Sequence, residues 1–216
     1  MLHLKAFTFN PFQENTYIIT NDKNQCWIVD PGMYGDYEAD QLIKYITDKQ
    51  LTPQAIINTH THLDHIFGVQ ALVDKYKIPF GVHEDELQVL RMAAASAAMF
   101  GFELDAAPTP TFFIKADEPL KLGDDTLEVF YTPGHSPASI SFYYPAGRWV
   151  ISGDVLFSGS VGRTDLPGGN FDTLVQSICT QLFTLPSETT VLSGHGPATH
   201  IGEEKKHNPF LQGIGN

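Results

Sequence analysis

The sequence predicts an α+β fold in which two β-sheets pack together and helices cover their outer faces. The first observation is a series of short runs rich in β-branched and aromatic residues, separated by turn residues as strands require. The second is that stretches with apolar residues at helical spacing alternate with these runs. The third is size: 216 residues, 42% of them hydrophobic, can bury one sizeable core, and we expect 1–216 to form a single domain.

The first half of the chain predicts strands and helices in alternating order. Strands are expected at 2–9, 15–20, 25–30, 55–58 and 78–83. The sequence Asp-Pro-Gly at 30–32 ends the third of these strands, and Leu42, Ile43 and Ile46 then follow at helical spacing. Helices are expected at 37–49, 65–77 and 84–101.

The second half begins with a proline-bearing loop at 104–111 and is richer in strands. These are expected at 111–114, 119–122, 125–131, 139–144, 148–152 and 190–194. A glycine-rich loop is expected at 158–169, and helices at 171–183 and 202–207.

Composition excludes several classes of partner. The formal net charge of −12 disfavours nucleic acid, whose binding depends on Lys and Arg at the phosphates. No stretch of about 18 apolar residues predicts a transmembrane helix, and the start lacks the basic and apolar segments of a signal peptide. Cys26 and Cys179 lie in apolar runs and are interpreted as buried thiols, so we expect a cytoplasmic protein without membrane partners. No sequence feature fixes the oligomeric state.

The segment THTHLDHIFG at 59–68 indicates a metal site, because it carries His60, His62, Asp64 and His65 within six residues. By chance this H-x-H-x-D-H pattern would arise in roughly one of a thousand chains of this composition. In an extended segment the first three share one face, whereas His65 needs the chain to turn, which could divide the ligands between two metals. Imidazole and carboxylate ligands favour zinc, with iron or manganese as alternatives.

Three further candidate ligands follow strand-like runs. His135 lies after a Pro-Gly turn in FYTPGHSPAS, Asp154 lies in VISGDVLF, and His195 lies between glycines in VLSGHGPAT. An isolated histidine is more often a core or surface residue than a ligand. Three polar residues at strand ends, together with the histidine cluster, favour a site on a rigid rim.

These segments resemble the metallo-β-lactamase superfamily over nearly the whole chain. THTHLDHIFG resembles its H-x-H-x-D-H motif, TPGHSPAS its third-ligand turn, SGDVLF its bridging aspartate and SGHGP its last histidine. Ser136 and Ala138 stand where Thr and Gly are frequent. The resemblance implies a four-layer αββα sandwich with the metals at one edge of the sheets.

The resemblance also implies two divalent metal ions and a role for each ligand. Asp64 would be a metal ligand that orients the attacking hydroxide, which bridges the metals. The first metal would be bound by His60, His62 and His135, the second by Asp64, His65 and His195, and both by Asp154.

Within the superfamily, the chain resembles compact bacterial hydrolases of the glyoxalase II (hydroxyacylglutathione hydrolase) type. The similar segments are FSGSVGRTDLPGGN at 157–170 and THIGEEKKHNPF at 199–210. The resemblance implies hydrolysis of a small-molecule thioester. Larger members hold glutathione with a helical C-terminal domain, whereas this sequence ends soon after His195, so thioester hydrolysis is a firmer expectation than glutathione.

Two alternatives stay open at this point. One is a persulfide dioxygenase-like enzyme, in which a single iron is held by two His and one Asp. The other is a hydrolase of a different ester or thioester class. A β-lactamase is less expected because it would need an export signal.

Residues around the ligands have less specific patterns. Arg163 in the glycine-rich loop is a candidate partner for a substrate carboxylate or a solvated loop residue. Five apolar residues are interpreted first as core: Phe12, Tyr17, Met92, Met99 and Phe100. The alternative is an apolar wall for the first two and a lid or a dimer face for the other three. Candidates to orient the imidazoles are Asp30, Thr59 and Ser193.

Overall fold

A computed structural model describes residues 1–104 and 106–213, so Asp105 of the predicted loop 104–111 lies outside the described residues, as do residues 214–216. The chain folds into two six-stranded sheets that pack face to face. Helices cover the outer face of each sheet.

The first sheet and its helices come from the first half of the chain. The strands are β1 (His3–Phe9), β2 (Glu14–Thr20), β3 (Gln25–Val29), β4 (Thr52–Ile57), β5 (Phe80–Val82) and β6 (Phe112–Phe113). They lie in this order; β1 to β3 are antiparallel, and β3 to β6 are parallel. The helices are α1 (Asp36–Asp48), α2 (Val69–Tyr76), α3 (Leu87–Leu90) and α4 (Ala93–Phe100).

The second half forms the other sheet. Its elements are β7 (Leu120–Leu122), β8 (Asp125–Tyr131), β9 (Ile140–Tyr144), β10 (Trp149–Gly153), the hairpin of β11 (Leu156–Phe157) and β12 (Ser160–Val161), α5 (Phe171–Thr180), β13 (Thr190–Ser193), β14 (Thr199–His200) and α6 (Ile201–His207). The order in this sheet is β14-β13-β10-β9-β8-β7, with only the β10–β13 pair parallel.

Three apolar layers hold these elements together. Ile19 and Phe142 lie between the two sheets, Ile18 and Leu42 lie between the first sheet and its helices, and Leu174 lies between the second sheet and its helices. Ile18 and Ile19 belong to different layers because successive strand residues point to opposite faces. The predicted αββα sandwich is therefore confirmed.

Parallel pairing brings the carboxyl ends of particular strands together. Val29 at the end of β3 pairs with Ile57 at the end of β4. Gly153 at the end of β10 pairs with Ser193 at the end of β13. The segments that follow all four strands therefore lie at one edge of the sandwich, where polar side chains from both sheets can meet.

Helix bounds differ from the prediction at three places. The helix expected at 171–183 ends at Thr180, and Leu182–Thr184 form a 3₁₀ turn. The predicted helix 84–101 is a 3₁₀ turn at Glu84–Glu86, then α3, then α4. Thr61 donates hydrogen bonds to both the carbonyl and the carboxylate of Glu86, which ties the start of this segment to a neighbouring loop. The helix expected at 65–77 begins only at Val69, because residues Leu63–His65 form a 3₁₀ turn. None of the helices in the described part of the chain has the length and apolar character needed to span a bilayer.

The two cysteines are free thiols, and we expect them to differ in reactivity. Cys26 in β3 is fully buried, and burial raises the pKa of its thiol to about 12. Cys179 in α5 is only partly buried. Since the thiolate is the reactive form, iodoacetamide at mildly alkaline pH should alkylate Cys179 first and Cys26 only after unfolding in guanidinium. Peptide mass spectrometry measures both rates; equal rates in the folded protein would contradict the placement of Cys26.

Candidate metal centre

The structure brings all seven sequence-predicted ligands together at the edge where β4, β10 and β13 end. The histidine cluster follows β4, Asp154 follows β10 directly, and His195 comes shortly after β13. His135 reaches the same place from the turn between β8 and β9. Six of the side chains form two groups of three possible metal ligands, called the donor groups below, and the seventh, Asp154, lies between the two groups.

The first donor group consists of His60, His62 and His135, whose donor atoms lie within 4.8 Å of one another. Nδ1 of His62 is 2.8 Å from Nε2 of His135. Nε2 of His60 is buried and has no hydrogen-bond partner within the described residues. Three imidazole nitrogens at this spacing suit one shared cation, and three-nitrogen sets of this kind bind zinc in enzymes.

The second donor group consists of Asp64, His65 and His195. Oδ2 of Asp64 lies 3.1 Å from Nε2 of His195. Asp154 lies between the groups: its Oδ1 is 3.4 Å from Nε2 of His65, and its Oδ2 is 3.4 Å from Nε2 of His195 and 3.5 Å from Nε2 of His135. This is the position expected of a bridging carboxylate.

Asp30 and Thr59 orient two of the imidazoles. Nδ1 of His65 lies 3.1 Å from Oδ2 of Asp30, so we assign the proton to Nδ1, which leaves the Nε2 lone pair facing the site. The Thr59 hydroxyl donates to the same Asp30 oxygen at 2.6 Å and can therefore accept from Nδ1 of His60 at 3.0 Å. Ser193 has no such role, because its hydroxyl donates to the carbonyl of Leu156.

Main-chain carbonyls orient two more imidazoles. Nδ1 of His135 donates to the carbonyl of Arg163 at 2.8 Å, and Nδ1 of His195 donates to the carbonyl of Phe12 at 3.0 Å. In both rings Nε2 is then the free nitrogen, and it faces the donor groups. Four of the five histidines are thus held in the tautomer that metal ligation requires.

Asp30 also forms a third close group with His60 and His65. Both of its oxygens are already used, since Oδ1 accepts from the amide of Thr59 at 2.7 Å and Oδ2 from the Thr59 hydroxyl. Asp30 therefore lies on the Nδ1 side of the two rings and serves to orient them rather than to bind a metal.

The donor groups fit divalent cations. Nε2 of His60, Nε2 of His65 and Oδ1 of Asp154 are buried without a hydrogen-bond partner in the described part of the chain. Buried polar atoms are almost always partnered, and these three face the interior of the donor groups. Cations there would satisfy all three atoms at once.

A model of the metallo-β-lactamase superfamily matches residues 9–195, a span that includes every one of the seven ligands. The chain belongs to the metallo-β-lactamase superfamily. Together with the His and Asp donor groups, this membership makes it a metal-dependent hydrolase. The αββα sandwich and the placement of the site at one edge of the sheets agree with that family.

Two curated relatives of this superfamily align over nearly the full chain. The probable metallo-hydrolase YqgX of Bacillus subtilis (strain 168) is 45% identical over 206 residues, which cover 94% of this chain and 95% of the relative. The hydroxyacylglutathione hydrolase GloC of Haemophilus influenzae is 34% identical over 212 residues, which cover 97% and 98%.

Two solved structures also resemble this chain over nearly its whole length. The BLEG-1 B3 metallo-β-lactamase superposes with a TM-score of 0.90 at 42% identity, covering 98% of this chain and all of that chain. TTHA1623, solved in a di-iron-bound form, superposes with a TM-score of 0.86 at 36% identity, covering 96% of this chain and all of that chain.

The histidines of the two donor groups differ in their pKa. Burial and the neighbouring His135 lower the pKa of His62 to about 3, and burial also keeps His60 neutral by lowering its pKa. Burial opposes the charged form of His195, but hydrogen bonds to Asp154 and Asp64 outweigh it and raise the pKa to about 10. His60 and His62 of the first group are therefore neutral, whereas His195 of the second group carries a proton that balances the charge of the carboxylates. A bound cation would take the place of that proton.

Glu86 is the important residue that the sequence analysis missed. It is fully buried, and its carboxylate accepts from the amide of Thr61 at 3.0 Å, the hydroxyl of Ser136 at 2.5 Å and the amide of Ala138 at 2.9 Å. It thus connects the loop that carries His60 and His62 to the turn that carries His135. In the run HEDEL it has the pattern of a solvated helix start, which is why no sequence signal distinguishes it.

Two glycines allow the close approach of site residues. A Cβ at Gly194 would overlap Oδ1 of Asp154 and Cε1 of His65. Gly153 has a φ of 52°, in the left-handed region, and a Cβ there would overlap the side chain of Thr59. The glycines of SGD and SGH are therefore needed for space at the site as well as for the turn.

A cleft of about 400 Å³ opens beside the ligands and is lined by the remaining candidates. The guanidinium of Arg163 lines it but forms a two-point ion pair with Asp165, at 2.7 and 2.8 Å. Its role in binding a substrate carboxylate stays a prediction. Phe12, Met92 and Phe100 also line the cleft and are 37%, 42% and 51% exposed, and Met99 is 82% exposed, so their interpretation as core residues was wrong. Tyr17 is buried between the two sheets, so its interpretation as a core residue is confirmed.

The first donor group should depend on Glu86. In Glu86→Gln the amide NH₂ replaces one of the two carboxylate oxygens, so it faces donors either of Thr61 or of Ser136 and Ala138. One of the two ligand loops therefore loses its hydrogen bonds to this side chain, and the loops lose their common anchor. We expect affinity for a divalent cation to fall about 10- to 100-fold. Competition with a chromophoric chelator measures this affinity.

Glu84→Gln is the matched control, because Glu84 lies on the same 3₁₀ turn but is exposed. It should leave the metal affinity unchanged. An unchanged affinity in the folded Glu86→Gln protein would show that the loops hold their positions without this carboxylate.

Proposed function

We propose that the protein is a thioester hydrolase of the hydroxyacylglutathione hydrolase type that binds two divalent cations, with zinc as the expected metal. The observation that carries the proposal is that Asp154 lies between two donor groups, and that each group contains all of the ligands that the sequence predicts for it. A single metal held by two His and one Asp would use only part of this set. The complete second group, Asp64, His65 and His195, supports two.

Divalent cations bound there would lower the pKa of a coordinated water and polarise the carbonyl of the substrate. The chain's own residues set the geometry for this chemistry. His60 and His135 present Nε2 to the site, because the contacts described above place their protons on Nδ1 at the opposite side of each ring. His62 presents Nδ1, which lies 2.8 Å from Nε2 of His135. Asp64 and Asp154 supply the negative charge, and Oδ2 of Asp64 lies 3.1 Å from Nε2 of His195, the other ligand atom of the second group.

The cleft allows an acyl carbonyl to reach the ligands. His62, Asp64, Asp154 and His195 form its floor, while its walls are mostly apolar. Apolar walls exclude water from the reacting carbonyl and thereby strengthen the electrostatic interactions inside. No side chain needs to act as a separate general base in this arrangement.

Similarity supports the thioester as substrate. The relative GloC is named a hydroxyacylglutathione hydrolase and aligns over nearly the whole of both chains. A second candidate is hydrolysis of a β-lactam amide, which is favoured by the similarity to the BLEG-1 B3 metallo-β-lactamase. Both reactions use the same ligands and differ in the bond that is broken. A chromogenic cephalosporin tested beside the thioesters distinguishes them.

The single-iron alternative from the sequence is tested by metal content. A persulfide dioxygenase would hold one iron per chain and consume oxygen in the presence of a persulfide. We expect two metals per chain, measured by plasma mass spectrometry, and no oxygen uptake. The di-iron form of TTHA1623 makes iron one of the metals to load alongside zinc and manganese.

Metal-loaded protein should release free thiol from S-lactoylglutathione or a related acyl thioester. Chelation should abolish this release and added metal should restore it. Asp154→Asn removes the shared charge while keeping the shape, so we expect about a 100-fold or greater loss of kcat together with loss of bound metal. A thiol-reactive dye and metal analysis provide the two measurements.

Asp124→Asn is the matched control, since Asp124 is exposed and its ion-pair partner among the described residues is the exposed Lys23. It should retain full activity and metal content. If protein containing two metals hydrolyses no member of a broad thioester panel, the proposed function is wrong.

A further inference from the structure

The cleft beside the metal ligands has a mostly apolar lining. This lining comes from α3 and α4, from Phe12 and from the loop that contains Leu166 and Pro167. Its volume of about 400 Å³ falls in the range of small-molecule pockets. Adjacent exposed apolar side chains that line a concave surface indicate ligand binding.

The face of α4 explains why there is space here. Ala93, Ser96 and Phe100 lie three and four residues apart and so share one helix face, which lines the cleft. The two small side chains leave space beside the helix, and Phe100 adds a large apolar side chain to the same face. Its ring packs edge-on against that of Phe12, with centroids 5.9 Å apart.

The cleft offers little to an anionic group. Among its described lining residues, Arg163 is the one side chain with a permanent positive charge, and it is already paired with Asp165. The remaining charged lining groups, Asp64, Asp154 and the histidines, belong to the donor groups. The chain as a whole has a formal charge of −12. Away from the donor groups, carboxylates or phosphates of a thiol carrier would therefore find no unpaired cationic side chain among the described lining residues.

We propose that the cleft is the binding site for an apolar acyl group, so that the preferred substrates are thioesters of medium-length aliphatic acids rather than of small hydroxy acids. This inference rests on the proposed thioester hydrolysis. The common thiol carriers are polar and charged, so the acyl chain is the part of a thioester that matches apolar walls. The carbonyl then lies at the ligands, the acyl chain runs along α4, and the thiol lies towards solvent.

The test uses thioesters of one neutral thiol, N-acetylcysteamine, with acetyl, butanoyl, hexanoyl and octanoyl groups. Burial of each methylene should raise kcat/KM roughly two- to fourfold until the cleft is filled. S-lactoylglutathione should be a poorer substrate than the octanoyl compound. A kcat/KM that stays constant or falls with chain length would overturn the acyl site while leaving thioester hydrolysis intact.

Ser96→Leu tests the location of the acyl group. The larger side chain fills the space along α4, so the ratio of kcat/KM for octanoyl over acetyl should fall at least tenfold. Ala95→Leu is the control, because Ala95 is exposed on the same helix and does not line the cleft. It should leave the ratio unchanged. Equal ratios in the two variants would place the acyl chain elsewhere.

Binding to the metal-free protein separates this inference from the proposed function. Calorimetry with the S-octyl thioether of N-acetylcysteamine should show at least tenfold tighter binding than the S-ethyl thioether, and Ser96→Leu should remove the difference. If both thioethers bind equally, the acyl site is wrong. If the octyl compound binds more tightly but no thioester is cleaved, the proposed function fails and the apolar site stands.

Discussion

Buried carboxylates that accept hydrogen bonds from main-chain amides and side-chain hydroxyls hold this site in place. Asp30 accepts two bonds from Thr59 and lies against His65, and Glu86 accepts from three positions on two different loops. Burying a carboxylate costs free energy unless both of its oxygens accept hydrogen bonds, so the loss of one of these bonds destabilises the whole set. The ligands attached to these loops consequently have few alternative positions, which is the preorganisation that a metal site needs.

The sandwich supplies what these carboxylates need. Parallel pairing of β3 with β4 places Asp30 beside the segment that carries His60. Parallel pairing of β10 with β13 places Asp154 beside the turn that carries His195. The apolar layer between the sheets then brings the two edges together. Two parallel strand pairings and the packing of one sheet on the other therefore bring together the ligands that follow β4, β10 and β13, although these are far apart in the chain.

The sequence predicted this gathering because its determinants are local. Closely spaced histidines, and polar residues between glycines after apolar runs, are visible without any contact. The role of Glu86 could not be predicted from the sequence, because it depends on a hydrogen bond from Ser136, which lies 50 positions away. The break between α3 and α4 and the exposure of Met92 and Phe100 were missed for a related reason: an apolar helical pattern does not reveal whether the fold covers that face or leaves it open.

The carbonyl contacts to His135 and His195 have a consequence for how this chain can change. Arg163 and Phe12 orient the two rings through their main chains, while their side chains line the cleft. A substitution at either position alters the wall without removing the bond that holds the ligand. Evolution or engineering can thus vary what enters the enzyme one residue at a time, with the catalytic machinery inherited unchanged.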